Sequence, residues 1–191
     1  MMKRIVLGFM IMAAAYAALN FDYFRKQVSY EFSKNDYATT TADTIREKME
    51  PDTVIVPSLN IKAPIKYAAE VNEDKFQELL IDGVVHYPGT ADIGKPGNAY
   101  IFGHSSDNAW SKGKYKTVFA LLPKIKIGDE MVASDREGNK FVYKVIDARV
   151  VAKNDTSVLA QDNSKKLLTL QTSYPVGTSL KRFVAVGELV K

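Results

Sequence analysis

The feature that most constrains the fold is a series of short β-branched and aromatic runs, separated by turn residues, that fills the chain after residue 52. Such runs are typical of strands. The clearest one alternates, because Phe141, Tyr143 and Val145 would share one face of a strand while Lys144 lies on the other. The runs cover residues 52–56, 60–65, 83–87, 98–103, 130–134, 141–151, 167–172 and 182–190. Seven or eight short strands indicate an all-β fold, a closed barrel of about eight strands.

One segment of this region has a helical pattern instead. Asn72 is a favourable N-cap residue, and two acidic residues follow it in the first turn. Phe76, Leu79 and Leu80 form an apolar face, and Gly83 ends the segment. The barrel is therefore expected to carry one or two short helices.

The N-terminal residues form a separate unit. Residues 5–19 contain no charged side chain. A helix of this length measures about 22 Å, somewhat less than a hydrocarbon core of about 30 Å. The segment 1–21 fits a transmembrane anchor, and the small residues Ala15 and Ala17 also fit a signal-peptide cleavage site. The anchor is the favoured interpretation, with Lys3 and Arg4 on the cytoplasmic side.

Both interpretations export the rest of the chain. We therefore expect a single-pass protein of the cell membrane, with its folded domain on the extracytoplasmic face. Residues 22–52 are polar and contain Pro51 near their end, which indicates a stalk. Residues 53–191 would then form the barrel domain.

Composition excludes several functional classes. The chain contains no cysteine, so a disulfide framework, a thiolate metal site and a thiol nucleophile are ruled out. Its net charge is +4, but residues 53–191 carry nineteen basic and fifteen acidic residues without a basic block between aromatics. This scattered surplus does not indicate nucleic-acid binding. Two histidines without cysteine are a weak basis for a metal site, and none is expected.

Three polar residues lie where predicted strands begin or end, which is where catalytic groups often sit. His104 follows the run 98–103, and Ser173 follows the run 167–172. Arg182 opens the last strand, so antiparallel pairing would set it opposite Ser173. These groups could supply nucleophilic attack, proton transfer and oxyanion stabilisation. The alternative is a surface histidine and an ordinary turn serine, and spacing alone does not bring His104 to the hairpin.

The last two strands resemble those of a known family. Residues 169–175, Thr-Leu-Gln-Thr-Ser-Tyr-Pro, followed by Arg182, are similar to the nucleophile strand of sortases, which normally reads Thr-Leu-x-Thr-Cys. Further similar segments lie in family order at 57–65, 83–90, 96–106, 113–122, 128–130 and 186–189. The resemblance covers roughly residues 53–190. It implies a membrane-anchored, eight-stranded barrel transpeptidase of the bacterial surface.

The resemblance also implies a role for each site residue. His104 would act as general acid and base, and Arg182 would bind the substrate carbonyl and the oxyanion. Ser173 would take the place of the nucleophile, and Thr172 beside it would contact substrate. His86 would be only a neighbour of the pocket. No cofactor is implied.

The partners implied by the resemblance are of three kinds. The substrate would be an exported protein that carries a C-terminal sorting motif of the Leu-Pro-x-Thr-Gly kind. The acyl acceptor would be an amine on a peptidoglycan precursor or a pilin, or water. The membrane itself would hold the chain through residues 5–21.

The departure from the family lies at the nucleophile, because position 173 is serine. A thiol has a pKa near ~8.5 and can be held as a thiolate, whereas a serine hydroxyl needs a well-oriented base. Ser173 is therefore expected to be a poor nucleophile, and Asp107 is the aspartate nearest to His104 in sequence. Three explanations stay open: an engineered substitution that traps substrate, a natural sortase-like module that binds sorting motifs or assists surface assembly without cutting, and a serine-based acyl transferase.

Overall fold

Eight strands form the domain: β1 (Thr53–Val56), β2 (Ile61–Tyr67), β3 (Val84–His86), β4 (Gly97–Phe102), β5 (Glu130–Ser134), β6 (Lys140–Ala152), β7 (Lys166–Tyr174) and β8 (Lys181–Leu189). The computed structural model describes residues 2–38, 48–106 and 113–190. The strands close into a barrel in the order β1-β2-β3-β4-β7-β8-β6-β5. Short 3-10 turns lie at Pro57–Leu59, Leu122–Lys124 and Ser157–Leu159. The predicted all-β barrel of about eight strands is confirmed.

Two parallel pairings decide which strands become neighbours. Most adjacent strands are antiparallel, but β2 pairs with β3 and β4 pairs with β7 in parallel. A parallel pair needs a long crossover connection, and the one between β4 and β7 contains both β5 and β6. As a result β7 lies between β4 and β8. His104 follows β4, Ser173 lies in β7 and Arg182 lies in β8.

Alternation along each strand decides which side chains fill the barrel. Along β6, Tyr143 and Val145 are buried in the core and Phe141 packs against it, as predicted, while Lys144 is exposed. The hydroxyl of Tyr143 accepts a hydrogen bond from the backbone N–H of Gly94 at 2.8 Å. Burial raises the pKa of Tyr143 to about 12, so this phenol stays neutral in the core.

The predicted helix is also present, as α3 (Glu73–Leu80) in chain-order numbering. The side chain of Asn72 caps it by accepting a hydrogen bond from the N–H of Lys75 at 3.1 Å. Phe76 and Leu80 pack against Val85 of β3. The helix therefore stands on the outer surface of the barrel beside β3 and β4.

Two helices precede the barrel: α1 (Met2–Leu19) and α2 (Phe21–Ala38). Within the described ranges, neither is by itself both long and apolar enough to cross a bilayer. The pair 4–18 and 21–33, bent by 78° between the two helices, meets the requirement of length and composition when taken together. A transmembrane anchor over residues 1–21 stays a prediction.

The segment after α1 was predicted to be a polar stalk over residues 22–52. Residues 22–38 are helical, and α2 lies against the barrel. The ammonium of Lys26 donates to the carbonyl of Thr117 at 2.7 Å, and Tyr30 packs against the barrel core. A second cross-contact joins Lys124 to Glu31 at 2.7 Å. The polar residues that indicated a stalk are used as a docking face; residues 39–47 of this segment lie outside the described ranges.

Candidate active site

The register of three neighbouring strands brings the predicted residues to one end of the sheet. Phe102 of β4 is the pairing partner of Gln171 of β7. His104 and Ser173 are each two residues further along, so they lie at the same level at this end of the sheet. On the other side of β7, Ser173 is the partner of Arg182 in β8. The predicted juxtaposition of Ser173 and Arg182 is confirmed. The parallel pairing of β4 with β7 brings His104 to the same end of the sheet, which sequence spacing alone did not predict.

Alternation places the three side chains on the outer face of the barrel. Along β7, residues 168, 170 and 172 point into the barrel, and Gln171 and Ser173 point the other way and line the cleft; Thr169, on their side, is buried and donates to the side-chain oxygen of Asn98 at 2.8 Å. On β4 and its exit, Tyr100, Phe102 and His104 share that outer face. All of these side chains line one cleft, which measures about 530 Å³.

The cleft has a helical wall, an aromatic floor and a polar loop as its second wall. Its size lies within the range of ordinary ligand pockets. The wall is α3, the floor is formed by β4, β7 and Tyr87 just after β3, and the loop connects β6 to β7. The remaining lining residues are Glu73, Phe76, Gln77, Leu80, Gly103, Lys153, Asn154, Asp155, Thr156, Val158, Leu159 and Ser179.

Arg182 is held at the mouth of the cleft by backbone oxygens. One guanidinium nitrogen donates to the carbonyl of Ser179 at 3.2 Å and to the carbonyl of Lys181 at 3.1 Å. Because a guanidinium has five N–H donors, most of them stay available for a ligand. The arrangement fits a group that stabilises negative charge on a bound carbonyl.

A polar pair on the cleft floor was missed in the sequence. The hydroxyl of Tyr100 donates to the side-chain oxygen of Gln171 at 2.5 Å. Burial, more than any charge, raises the pKa of Tyr100, and Arg182 nearby opposes that rise. Period-two alternation could have found both residues, since Tyr100 is four before His104 and Gln171 is two before Ser173.

Thr172 has a different place from the one expected. It was predicted to bind substrate, but its side chain is fully buried beneath the cleft. Its hydroxyl donates to the carbonyl of Gly103 at 2.8 Å, next to His104. A Cβ at Gly103 would lie 2.8 Å from the ring of Phe119, so only glycine lets the β4 exit approach the core this closely. This packing suits a positioning role for Thr172, not contact with substrate.

The loop after β7 is tied to the loop after β4. The backbone N–H of Gly177 donates to the hydroxyl of Ser106 at 2.9 Å. The carbonyl of His104 accepts from the N–H of Phe119 at 2.9 Å. These bonds fix the backbone around the candidate residues. Asp107, the aspartate nearest to His104 in sequence, lies outside the described ranges.

His86 lies away from the cleft. Its pairing with Ile101 turns it into the barrel, where it is almost fully buried. One ring nitrogen, Nε2, is 2.8 Å from the carbonyl of Ala91, and the ring packs on Tyr67 with centroids 5.0 Å apart. His86 is therefore not a lining residue of the cleft, and its role is structural.

Burial of His86 predicts a pH dependence of stability. Burial lowers the pKa of His86 below its ordinary value of 6.5, against smaller opposing effects of the Ala91 carbonyl and Asp92, while Arg136 lowers it further. The unfolded chain then binds the proton more tightly. Stability is fully present above about pH 6.5 and falls as the pH drops toward the lowered folded-state value. Each unit of lowering corresponds to about 1.4 kcal/mol.

The measurement is urea unfolding between pH 8 and pH 5, compared with His86→Gln, which cannot titrate but keeps a donor for Ala91. The native protein is expected to lose more stability than the variant over this interval. An equal loss of stability in the native protein and the variant would assign the pH dependence to other groups.

The described residues contain no group of three or more histidine, aspartate or glutamate side chains that could hold a metal ion.

Comparison with known proteins agrees with this fold. A family model described as the sortase domain matches residues 54–190. The chain belongs to the sortase family. Sortase D of Bacillus subtilis (strain 168) is 27% identical over 138 residues, which cover 71% of this chain and 61% of that protein. Sortase A of Bacillus anthracis is 26% identical over 179 residues, covering 91% of this chain and 78% of that protein.

Solved structures share the fold at lower sequence identity. The pilus-related sortase C of Group B Streptococcus superposes with a TM-score of 0.61 at 24% identity, covering 77% of this chain and 69% of that one. A sortase D5 transpeptidase of Clostridium perfringens has a TM-score of 0.60 at 20% identity, covering 90% of this chain and 96% of that one. The chain spans about three fifths of the length of the Bacillus subtilis relative.

Proposed function

We propose that the protein is a sortase-type acyl-transfer enzyme of the cell surface, slowed by serine at position 173. Its substrates are exported proteins with a C-terminal sorting motif of the Leu-Pro-x-Thr-Gly kind. The observation that carries the proposal is the common level of His104, Ser173 and Arg182 on three adjacent strands that open into one cleft. Serine, imidazole and guanidinium are the groups that acyl transfer requires.

The first half of the reaction forms an acyl-enzyme. The hydroxyl oxygen of Ser173 attacks the carbonyl carbon of the scissile peptide bond while His104 accepts its proton. Arg182 donates hydrogen bonds to the oxygen that becomes negative. Collapse of this intermediate breaks the carbon–nitrogen bond, and His104 passes the proton to the departing amine. The substrate is left as an ester on Ser173.

The second half of the reaction transfers the acyl group. An acceptor amine attacks the ester carbon, and the bond to the Ser173 oxygen breaks. His104 takes the proton from the amine and returns one to Ser173, so the enzyme is regenerated. Water can replace the amine and gives hydrolysis. An amine of a peptidoglycan precursor or of a pilin is the acceptor that this function needs.

The first step is the difficult one for this protein. A serine hydroxyl is almost never ionised at neutral pH, so catalysis depends on proton removal during attack. A positioned base contributes about 10²–10⁴-fold to such a step. We therefore assign this chain a low rate of acylation together with an intact peptide cleft.

The place of action is the outer face of the cell membrane. The charge-free run of residues 5–19 and the bent pair of α1 and α2 support attachment through the N-terminal segment. A single pass leaves the barrel outside, where exported proteins and wall precursors are found.

A second candidate function is a binding module that holds sorting motifs without cutting them, or that assists surface assembly. The observation that favours it is serine at the nucleophile position combined with a cleft of about 530 Å³. Both functions require peptide binding, and only the first produces a covalent adduct.

The test is binding and adduct formation by the native chain in detergent. Fluorescent peptides of the Leu-Pro-x-Thr-Gly kind are titrated by anisotropy against scrambled sequences, and mass spectra are recorded after long incubation. Selective binding with a slowly formed adduct of Ser173, absent in His104→Ala, is expected. Selective binding without any adduct would support the module instead. Equal binding of scrambled peptides by a folded chain would contradict both functions.

A further inference from the structure

An apolar stripe on α2 faces away from the barrel. Phe21, Phe24, Val28 and Phe32 are 64%, 38%, 55% and 87% exposed. Their spacing of three, four and four residues places them on one side of a helix with 3.6 residues per turn. Four large apolar side chains in one exposed row are unusual on a soluble surface. The row, residues 21, 24, 28 and 32, is called the outer stripe below.

The opposite side of α2 holds the barrel through polar groups. Asp22 lies 3.6 Å from the ammonium of Lys116, and Lys26 donates to the carbonyl of Thr117 at 2.7 Å. Tyr30, on the same side, packs against the barrel core. At about 100° per residue, these contacts point roughly opposite to the outer stripe. Most contacts of α2 with the barrel therefore come from the side opposite the outer stripe, while Glu31, next to the stripe by the same geometry, reaches Lys124 at 2.7 Å.

The position of α1 indicates what covers the outer stripe. Asn20 alone separates the two helices, and the bend between them is 78°. If α1 enters the bilayer along its normal, without having to span it alone, α2 lies within about 12° of the membrane plane. The ring of Phe24 packs edge-on against Tyr16 of α1, with centroids 6.1 Å apart. The apolar surface of α1 therefore continues directly into the outer stripe.

We propose that α2 is an in-plane membrane helix, with its outer stripe in the boundary between headgroups and acyl chains and the barrel resting on its other face. The inference rests on the membrane attachment of the proposed function and adds an orientation to it. An amphipathic helix of this kind buries its apolar side about 5–10 Å into the interface. Arg25, beside the stripe and 68% exposed, lies 3.8 Å from Asp22 and keeps further guanidinium donors for anionic headgroups.

This orientation carries a consequence for the cleft. A Cβ on Gly177, in the loop between β7 and β8, would lie 3.6 Å from the hydroxyl of Tyr16 and 3.5 Å from the side-chain oxygen of Asn20. The loop next to Ser173 and Arg182 thus touches the junction of α1 and α2. The active end of the barrel is held at the membrane surface, and the far ends of β4 and β7 point away from it.

The experiment measures depth in the bilayer. Since the chain has no cysteine, single cysteines can be introduced into the full-length protein for labelling with an environment-sensitive fluorophore. The positions are Ile11→Cys in α1, Phe21→Cys and Phe32→Cys at the two ends of the outer stripe, and Asn163→Cys in the loop before β7. The protein is reconstituted in vesicles of phosphatidylcholine and phosphatidylglycerol, and depth is read from quenching by lipids spin-labelled at the headgroup or along the acyl chain.

The expected result is equal, shallow depth for the labels at 21 and 32, greater depth at 11, and an aqueous signal at 163. If α2 instead completed the span, labels eleven residues apart would differ by about 16 Å in depth, which would overturn the in-plane orientation. An aqueous signal at 21 and 32 with a deep label at 11 would also overturn it while leaving the anchor intact. An aqueous signal at 11, 21 and 32 would contradict the membrane attachment itself.

Discussion

The Ser173→Cys variant is expected to cleave sorting-motif peptides at least about 10²-fold faster than the native serine protein, because a thiolate attacks without waiting for proton removal. The side chains of serine and cysteine are nearly equal in size, so the cleft keeps its shape. Ser173 lies on the outer face, at the last register position but one of β7, where a slightly larger atom meets no core packing. Peptide cleavage by the full-length protein, with and without an amine acceptor, measures both hydrolysis and transfer.

The possible outcomes separate the explanations for the serine. Cleavage by the cysteine form alone would identify a sortase cleft whose native nucleophile is disabled. Turnover by the serine form that disappears in His104→Ala would establish a serine transpeptidase and contradict the expected weakness of Ser173. If neither folded protein cleaves any peptide from a set of sorting motifs of the Leu-Pro-x-Thr-Gly kind, the proposed sortase function is wrong.

The second large effect is expected from Arg182→Ala in the Ser173→Cys background. Removing a donor that stabilises an oxyanion lowers kcat by about 10²–10³-fold. Arg182 lines the cleft, and one of its guanidinium nitrogens is bonded to the carbonyls of Ser179 and Lys181, so we expect its remaining donors to serve the proposed oxyanion role. Steady-state kinetics on the sorting-motif peptide that is cleaved fastest measure the change in kcat and KM.

The matched control is Lys181→Ala, which removes a neighbouring positive charge from the same strand. Its side chain is exposed and does not line the cleft, and the substitution keeps the backbone carbonyl that holds Arg182. Near-normal kcat is expected for this control. If Arg182→Ala lowers kcat no more than Lys181→Ala does, Arg182 contributes only a positive charge to the surface and does not stabilise the transition state. Arg182→Lys tests geometry, because an ammonium lacks the planar fork of donors.

Much of the local structure could be predicted from sequence because its causes are local. Asn72 signals a helix start wherever its side chain can reach the first turn, and it does so in α3. The alternation of Phe141, Tyr143 and Val145 marks a strand with one buried face, which β6 has. The opposition of Ser173 and Arg182 follows from one short hairpin, in which chain connectivity sets the register.

The errors have a common physical origin in contacts between distant segments. Polar composition made residues 22–52 resemble a stalk, yet Lys26 of this segment finds the carbonyl of Thr117, 91 residues away. The motif placed Thr172 beside substrate, whereas the pleat of β7 turns it to the core and to Gly103. Neither partner is near in sequence, so sequence spacing does not report these contacts, although period-two alternation with Ser173 outward would have turned Thr172 to the core.

The amino-acid sequence by itself determined the strands, the single capped helix, the hairpin of Ser173 and Arg182 and, through its motifs, the family. Only the tertiary structure decided that His104 joins that hairpin and that α2 turns its apolar side outward. Local elements follow from propensity, period and short loops, which act between near neighbours. The union of β4 with β7 is a parallel pairing across two intervening strands, and it forms only because closing the barrel leaves no unpaired edge.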